Sequence, residues 1–273
     1  MESISRLLLY GSDKRQLALG KLFEQNNISV TYCNTQNEIP DLTICQVPPA
    51  GSAILLPVPC SDSLYQQILD GLQKGTIVLG GNIPQEFVHQ CSTKGAKVYD
   101  YLKSPSVVIH NTVATAEGAI CEAIKHSPWN LHGSACLVMG YGRCGSVLAD
   151  RLKGLGCRIT VSARDLIKIA QAETCGYAIL NPQTELEQFR FLFNTIPAPV
   201  IDANMLSALS KEITIIDIAS SPGGCDFSYC EKHDIPAYLC LGLPAKYSPD
   251  SSAEIIFRHI HEVFQFGSKG KKL

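Results

Sequence analysis

The chain has 273 residues, with 23 Lys and Arg against 25 Asp and Glu and a formal net charge of −2. This length accommodates two domains of ordinary size, each with its own core. Near-neutral charge, with no basic stripe interleaved with aromatics, argues against a nucleic-acid partner, and no apolar run reaches the roughly eighteen residues of a membrane helix.

The opening MESISRLLLYGS reads as a strand and a turn rather than a signal peptide, so a cytoplasmic location is expected. The 12 cysteines are scattered without a C-x-x-C pair or matching histidine spacing. Most, such as Cys45, Cys136, Cys157 and Cys240, lie in apolar runs and read as reduced, small hydrophobes, with no metal site implied.

Apolar strands alternate with helical segments from the start, the pattern of a mostly parallel α/β sheet. Ile4 to Tyr10 is a strand, a helix follows as far as Gln25, and short strands are expected at Ile28 to Cys33, Leu42 to Gln46 and Ala53 to Pro57. Asp62 to Gln73 reads as a helix capped by Asp62, followed by a strand at Thr76 to Leu79, a helix at Pro84 to Ser92 and a strand at Ala96 to Leu102. Asn111 to His126 has Ala116, Ile120, Ala123 and Ile124 at helical spacing and ends at Ser127-Pro128, which makes it a linking helix.

Next comes ACLVMGYGRCGSVLADRLKGLGCRITVSARD, from Ala135 to Asp165. Ala135 to Met139 is a buried strand, Ser146 to Leu155 a helix stopped by Gly154 and Gly156, and Arg158 to Ala163 a second strand, a β-α-β unit of roughly thirty residues. Gly140 permits the tight turn, Gly142 lets backbone approach a pyrophosphate, and Gly145 lets helix and strand pack closely, with helix N–H groups facing the phosphates. Cys144, at that helix start, is expected to have an acid-shifted, modifiable thiol.

An NAD-binding chain usually carries an acid at the end of the second strand for the ribose 2′-OH, whereas Ser162, Ala163 and Arg164 stand there. A guanidinium matches a 2′-phosphate, which favours NADP; Asp165 reaches the ribose instead if the strand ends one residue later. Arg143 is a second cation for the phosphates or a solvated first-turn residue. Beyond this unit follow a helix at Leu166 to Thr174, a strand at Phe191 to Asn194, a helix at Ala203 to Leu209, strands at Ile213 to Ile218 and Ala237 to Leu241, and an amphipathic helix at Ser251 to Phe266.

The expected fold is α/β, with two α/β domains, the second a Rossmann-type dinucleotide-binding domain, joined by a linking helix and a returning C-terminal helix. Residues 1–126 make the substrate-side domain with the linking helix, 127–248 the NADP-binding domain, and 249–273 the returning helix with a solvated basic tail, Lys269 to Lys272. In open α/β sheets the residues after the strands face ligands. Asn194, Thr195 and Ile196, with Ser220, are therefore expected to shape the cofactor pocket beside Gly140, Tyr141, Gly142, Arg143, Cys144 and Gly145, while Pro197, Pro222 and Gly223 also suit plain turns. Arg15 is a candidate anchor for a substrate carboxylate, and Asp13 reads as the cap of its helix. Glu117 near the start of the linking helix, which also suits the helix dipole, and His132 in His132-Gly133-Ser134, which also suits a turn, are the acid/base candidates.

Several segments together resemble one family, the A subunit of dipicolinate synthase from endospore-forming bacteria. They are Gly11, Asp13, Arg15 and Gln16; Asn111, Thr115, Glu117 and Gly118; His132-Gly133-Ser134; Gly140-Tyr141-Gly142-Arg143 with Gly145; Ala163-Arg164; Asn194 to Pro197; and Asp217-Ile218-Ala219-Ser220 with Pro222-Gly223-Gly224 and Asp226-Phe227. The resemblance implies NADP-linked oxidation of a dihydrodipicolinate-type ring to dipicolinate during sporulation, in the mother-cell cytoplasm. It also implies a flavoprotein-like partner, the B subunit of dipicolinate synthase, in an oligomer. A dicarboxylate substrate would draw Arg15, Asn111, Thr115, Ser220, Ser221 and Lys246 to the cleft. The chain departs from the family pattern at Ser12, Ala114, Ser221, Ala245, Asp250, Ser251 and Ala253, two of which stand where the family has cations. Competing readings are an NADP-dependent dehydrogenase of another small carboxylate, similar in plan to shikimate and alanine dehydrogenases, and a non-catalytic NADP-binding module.

Overall fold

A computed structural model describes residues 3–33 and 52–266. The strand expected at Leu42 to Gln46, Cys45 and the basic tail lie outside the described residues. The chain divides into two compact units, residues 1–111 with 248–273, and residues 112–247.

In the first unit, β1 (Ser3–Ile4) and β2 (Arg6–Tyr10) lead into helix α1 (Lys14–Gln25) and strand β3 (Ser29–Cys33). Then come β4 (Ser52–Leu55), α2 (Asp62–Gly71), β5 (Ile77–Gly80), α3 (Gln85–Thr93) and β6 (Lys97–Asp100). Among the described residues these make a five-stranded parallel sheet ordered β3-β2-β4-β5-β6. Its central strands β4 and β5 are buried throughout, as near-continuous apolar runs covered on both faces should be. Asp13 caps α1 by accepting from the Gln16 N–H at 3.0 Å, whereas α2 is capped by Ser61, whose hydroxyl accepts from the Leu64 N–H at 3.3 Å; Asp62 is its first residue, where a carboxylate complements the helix dipole.

The long helix α4 runs from Pro105 to His126. It starts six residues before Asn111, because Pro105 suits a first helical turn and the β-branched run Val107 to Ile109, which disguises the pattern, is carried by its neighbours. The second unit continues with β7 (Ala135–Met139), α5 (Arg143–Gly154), β8 (Arg158–Ser162), α6 (Leu166–Thr174) and β9 (Ala178–Ile179). It goes on through β10 (Phe191–Asn194), α7 (Ala203–Ser207), β11 (Thr214–Asp217), α8 (Phe227–Lys232), β12 (Ala237–Leu239) and α9 (Leu243–Tyr247). The six parallel strands are ordered β12-β11-β10-β7-β8-β9, the doubly wound Rossmann order, with apolar layers on both faces. The chain order reverses between β7 and β10.

After Tyr247 the chain returns to the first unit. Helix α10 (Pro249–Val263) packs on α1, with Phe23 edge-to-face on Phe257 at 5.2 Å, and β13 (Gln265–Phe266) pairs with β1.

Candidate functional site

The second unit concentrates its unusual geometry where β7 and β10 end. Gly140 turns the chain off β7 with φ +94, in the left-handed region, and its N–H donates to the Ser162 carbonyl at 2.8 Å. The Met139 carbonyl accepts from both the Thr195 N–H at 3.0 Å and the Thr195 hydroxyl at 2.9 Å. A Cβ on Gly140 would strike the Thr195 hydroxyl, and one on Gly145 would fall on the Gly140 carbonyl oxygen. Both glycines thus permit close approach, while Gly142 has open space beside it and begins α5 without any side-chain cap. The first-turn N–H groups of α5 are left for another acceptor.

A cavity of about 560 Å³ opens there, lined by Gly140 to Gly142, Ser162 to Asp165, Lys168, Ile196 and Val200, among others. Strand β8 ends at Ser162, and Arg164 is exposed beyond it. Asp165 accepts from the Ile167 N–H at 2.8 Å and caps α6, so its carboxylate is engaged with backbone. Lys168, on the first turn of that helix, brings a second cation to the cavity wall. Only the capped helix start points it there, and the sequence reading passed over it.

Of the remaining expected cofactor residues, Tyr141 lines the cavity and packs edge-on against Tyr177 at 6.0 Å; burial holds its hydroxyl well above the ordinary range. Arg143 is exposed and stands outside the lining. The acid-shifted thiol expected at Cys144 is corrected: burial pushes it up, and the nearby Arg143 charge only partly opposes this. Asn194 is fully buried and does not face the cavity. Its amide donates to Asp217 Oδ1 at 2.9 Å and to the Ile196 carbonyl at 3.1 Å, while its Oδ1 accepts from the Ile196 N–H at 3.0 Å. Asp217, also fully buried, accepts in addition from Ala219 N–H at 3.0 Å and Gly224 N–H at 2.6 Å. This pair fixes the loops after β10 and β11. Ser220 and Ser221 are exposed on the latter loop, and neither lines the cavity.

The acid/base candidates are not at this cavity. Glu117 is exposed on α4, and His132 sits in the turn before β7, at the opposite end of that strand from Gly140, with Nδ1 3.2 Å from the Leu155 carbonyl oxygen. Thr115 is half-buried on α4. Lys246 pairs with Glu122, a buried acid that the sequence reading overlooked and that His126 Nε2 also approaches at 3.2 Å. Arg15 and Asn111 belong to the first unit; Arg15 is buried near the start of α1, and Asn111 Oδ1 accepts from the Ser252 hydroxyl at 2.9 Å. Among the described residues no group of three His, Cys, Asp or Glu is placed to hold a metal ion, and no helix is long and apolar enough to cross a membrane.

Burial works to raise the Glu122 carboxyl, but hydrogen bonds from Lys246 and Tyr247 outweigh it and hold the group below its ordinary value. A depressed carboxyl stabilises the fold above the unfolded value of about 4.3, and that stability is lost as the pH falls through the lower folded value. Glu122→Gln is therefore expected to cost about 1 to 2 kcal/mol at neutral pH, the half-exposed Lys246 limiting the effect, and the deficit should shrink on acidification below about pH 4. Melting temperatures of both proteins from roughly pH 3 to 7 check this, since that range spans the carboxyl titration; parallel curves would reject it.

Residues 107–222 match the family model described as D-isomer specific 2-hydroxyacid dehydrogenase, NAD binding domain. The chain is 32% identical over 197 residues to the A subunit of dipicolinate synthase from Bacillus subtilis (strain 168), a match taking in 71% of this chain and 66% of that relative, just under two thirds of its length. The crystal structure of the dipicolinate synthase A subunit from Bacillus halodurans superposes with a TM-score of 0.83 at 26% identity, over 96% of this chain and 98% of that one. The transhydrogenase of Sinorhizobium meliloti shares the fold, with a TM-score of 0.67 at 13% identity over 95% and 92% of the two chains. The residues around Gly140 fit a nicotinamide dinucleotide, since the uncapped start of α5 and the open space beside Gly142 supply N–H donors and room for its phosphates. The chain thus resembles the dipicolinate synthase A subunit over most of its length and carries, in residues 107–222, a segment similar to the NAD binding domain of D-isomer specific 2-hydroxyacid dehydrogenases.

Proposed function

We propose that the chain binds NADP in its second unit and oxidises a dihydrodipicolinate-type ring to dipicolinate. The observation that carries the nucleotide choice is the cavity wall beyond β8, where Arg164 and Lys168 both stand while the two carboxylates of the lining, Asp165 and Asp202, are engaged in capping α6 and α7. Two cations suit a 2′-phosphate, and a carboxylate occupied by an N–H is poorly disposed toward a ribose hydroxyl.

When bound, the nicotinamide supplies hydride acceptance: the ring loses a hydride to it and a proton to a base, and becomes an aromatic pyridine. The chain's own part is binding and orientation. Gly140, Gly142 and the α5 N–H groups would cradle the pyrophosphate, the Asn194–Asp217 pair would hold Ile196 against the cofactor, and Arg15 would anchor a substrate carboxylate. The similarity to the dipicolinate synthase of Bacillus subtilis supports the substrate class. That relative is one subunit of its enzyme, which supports a second polypeptide working with this chain.

The purified chain, alone and with a candidate second subunit, should form NADPH and dipicolinate from NADP⁺ and freshly generated dihydrodipicolinate precursor, followed by absorbance. NADPH binding without product in either mixture would sink the synthase reading and leave the dehydrogenase of another carboxylate or the non-catalytic module. Arg164→Asp is expected to weaken NADPH binding by about 1.5 to 3 kcal/mol, roughly tenfold to 150-fold, and to favour NADH, with little change in melting because Arg164 is exposed. An unchanged ratio of the two dissociation constants would reject the role given to Arg164.

A further inference from the structure

The first unit has a reversal point of its own. With the order β3-β2-β4-β5-β6 among its described strands, the chain order reverses between β2 and β4, the place where ligands settle beyond the carboxyl ends of strands in doubly wound sheets. Gln16, almost fully buried, spans that gap: its amide donates to the Tyr10 carbonyl at 3.0 Å and to the Leu56 carbonyl at 2.9 Å. Beside it stands Arg15, only 8% exposed. Among the described residues its Nε donates to nothing, and no carboxylate lies within ion-pair distance of it.

A second orphan is its neighbour. Tyr101 begins the short 3-10 turn that follows β6, is 1% exposed, and its hydroxyl also has no partner among the described residues. Burial pushes that hydroxyl up to about 12, with the Arg15 charge near enough to pull it down and the Asp13 and Asp100 carboxylates near enough to push it up. Tyr101 is therefore a neutral donor at any ordinary pH. The two carboxylates are occupied with backbone: Asp13 with Gln16 N–H, and Asp100 with the N–H groups of Asn82, Ile83 and Leu102 at 3.0 to 3.2 Å.

The Arg15 Nε and the Tyr101 hydroxyl are thus two buried donors of one unit, near enough for the Arg15 charge to act on the hydroxyl, with no acceptor for either among the described residues. A buried guanidinium is ordinarily paired, since an uncompensated charge out of water is costly. One carboxylate has oxygens enough to accept from both.

We propose that Arg15, beside the reversal point of the first unit, and Tyr101, beyond the end of β6, form a carboxylate-binding site, with Arg15 as the charged anchor and Tyr101 as a hydroxyl donor that selects for an oxygen acceptor. The identity of the carboxylate as part of a dicarboxylate ring rests on the function proposed above; the existence of the site does not.

Calorimetry and thermal melting of the full chain, with and without saturating NADPH, test this using dipicolinate and inorganic sulfate as probes. Dipicolinate should raise the melting temperature of the wild type. Arg15→Met should bind it at least tenfold more weakly, Tyr101→Phe several-fold more weakly, and Arg15→Lys should recover part of the loss, while NADPH affinity stays unchanged in all three. Ligand-free Arg15→Met should melt no lower than the wild type, because the variant removes a charge that has no partner. Equal dipicolinate binding by the wild type and Arg15→Met would overturn the proposal. So would a lowered melting point of ligand-free Arg15→Met with Tyr101→Phe binding as the wild type does, the mark of a purely structural pair, or no response of the wild type to either probe. Arg15-dependent binding of sulfate without dipicolinate binding would keep the site and reject the dicarboxylate reading.

Discussion

Gly145→Val is expected to abolish dinucleotide binding and to destabilise the second unit by about 3 kcal/mol or more. The first atom of any side chain at this position falls on the Gly140 carbonyl oxygen, and it would lie 3.3 Å from the Thr195 hydroxyl as well. That oxygen belongs to the turn itself, so the clash cannot be relieved by rotating a flexible side chain. Helix α5 would have to lift away from β7, carrying its open N–H groups away from the phosphates. Titration of NADPH by fluorescence, with a melting curve beside it, checks both halves. Near-normal binding by a folded Gly145→Val protein would show that the close approach of helix and strand is dispensable.

Asp217→Ala is expected to produce the next largest loss. It withdraws the acceptor from three donors, Asn194 Nδ2, Ala219 N–H and Gly224 N–H, all in a fully buried position that water cannot readily reach. Each stranded donor costs about 1 to 3 kcal/mol, and since the losses share one relaxation the total should be about 4 kcal/mol. For a unit of this size that lowers melting by roughly 8 to 16 °C. Asn194 would lose its orientation, and Ile196 its fixed place on the cavity wall, so NADPH affinity should fall although Asp217 lines no part of the cavity. Asp217→Asn keeps the shape but turns an amide donor toward existing donors, and should lie between the two. A melting shift with unaltered NADPH affinity would separate the loop's stability from its role in the pocket.

The parts of the fold and candidate site that were legible in the sequence are those whose physics is local. The turn from β7 into α5 could be read because glycines at Gly140 and Gly145 answer backbone constraints within six residues of one another. The strands β7 and β10, and helix α6, could be read because apolar runs mark their own extent, whereas the Asp165 cap of α6 emerges only from the structure. Short elements such as β9, α8 and α9 carry too few residues to show a period, and their existence depends on the sheet they join. Residues whose work depends on distant partners carry no such local mark. Asn194 reads as a pocket residue until Asp217, 23 positions later, is seen to hold it. Glu122 and Lys246, 124 positions apart, share no local pattern that would pair them.

The division of labour between Arg164 and Asp165 bears on how such a chain changes over generations. Asp165 secures the start of α6 while Arg164 stands exposed at the cavity, so on the proposed reading structural duty and selectivity are carried by separate codons. Exchange at an exposed position usually shifts stability by no more than about 0.5 kcal/mol. If Arg164 sets nucleotide choice as proposed, that choice can drift back and forth at position 164 without passing through a poorly folded ancestor, whereas a lineage that recruited position 165 for recognition would have to rebuild a helix start at the same time.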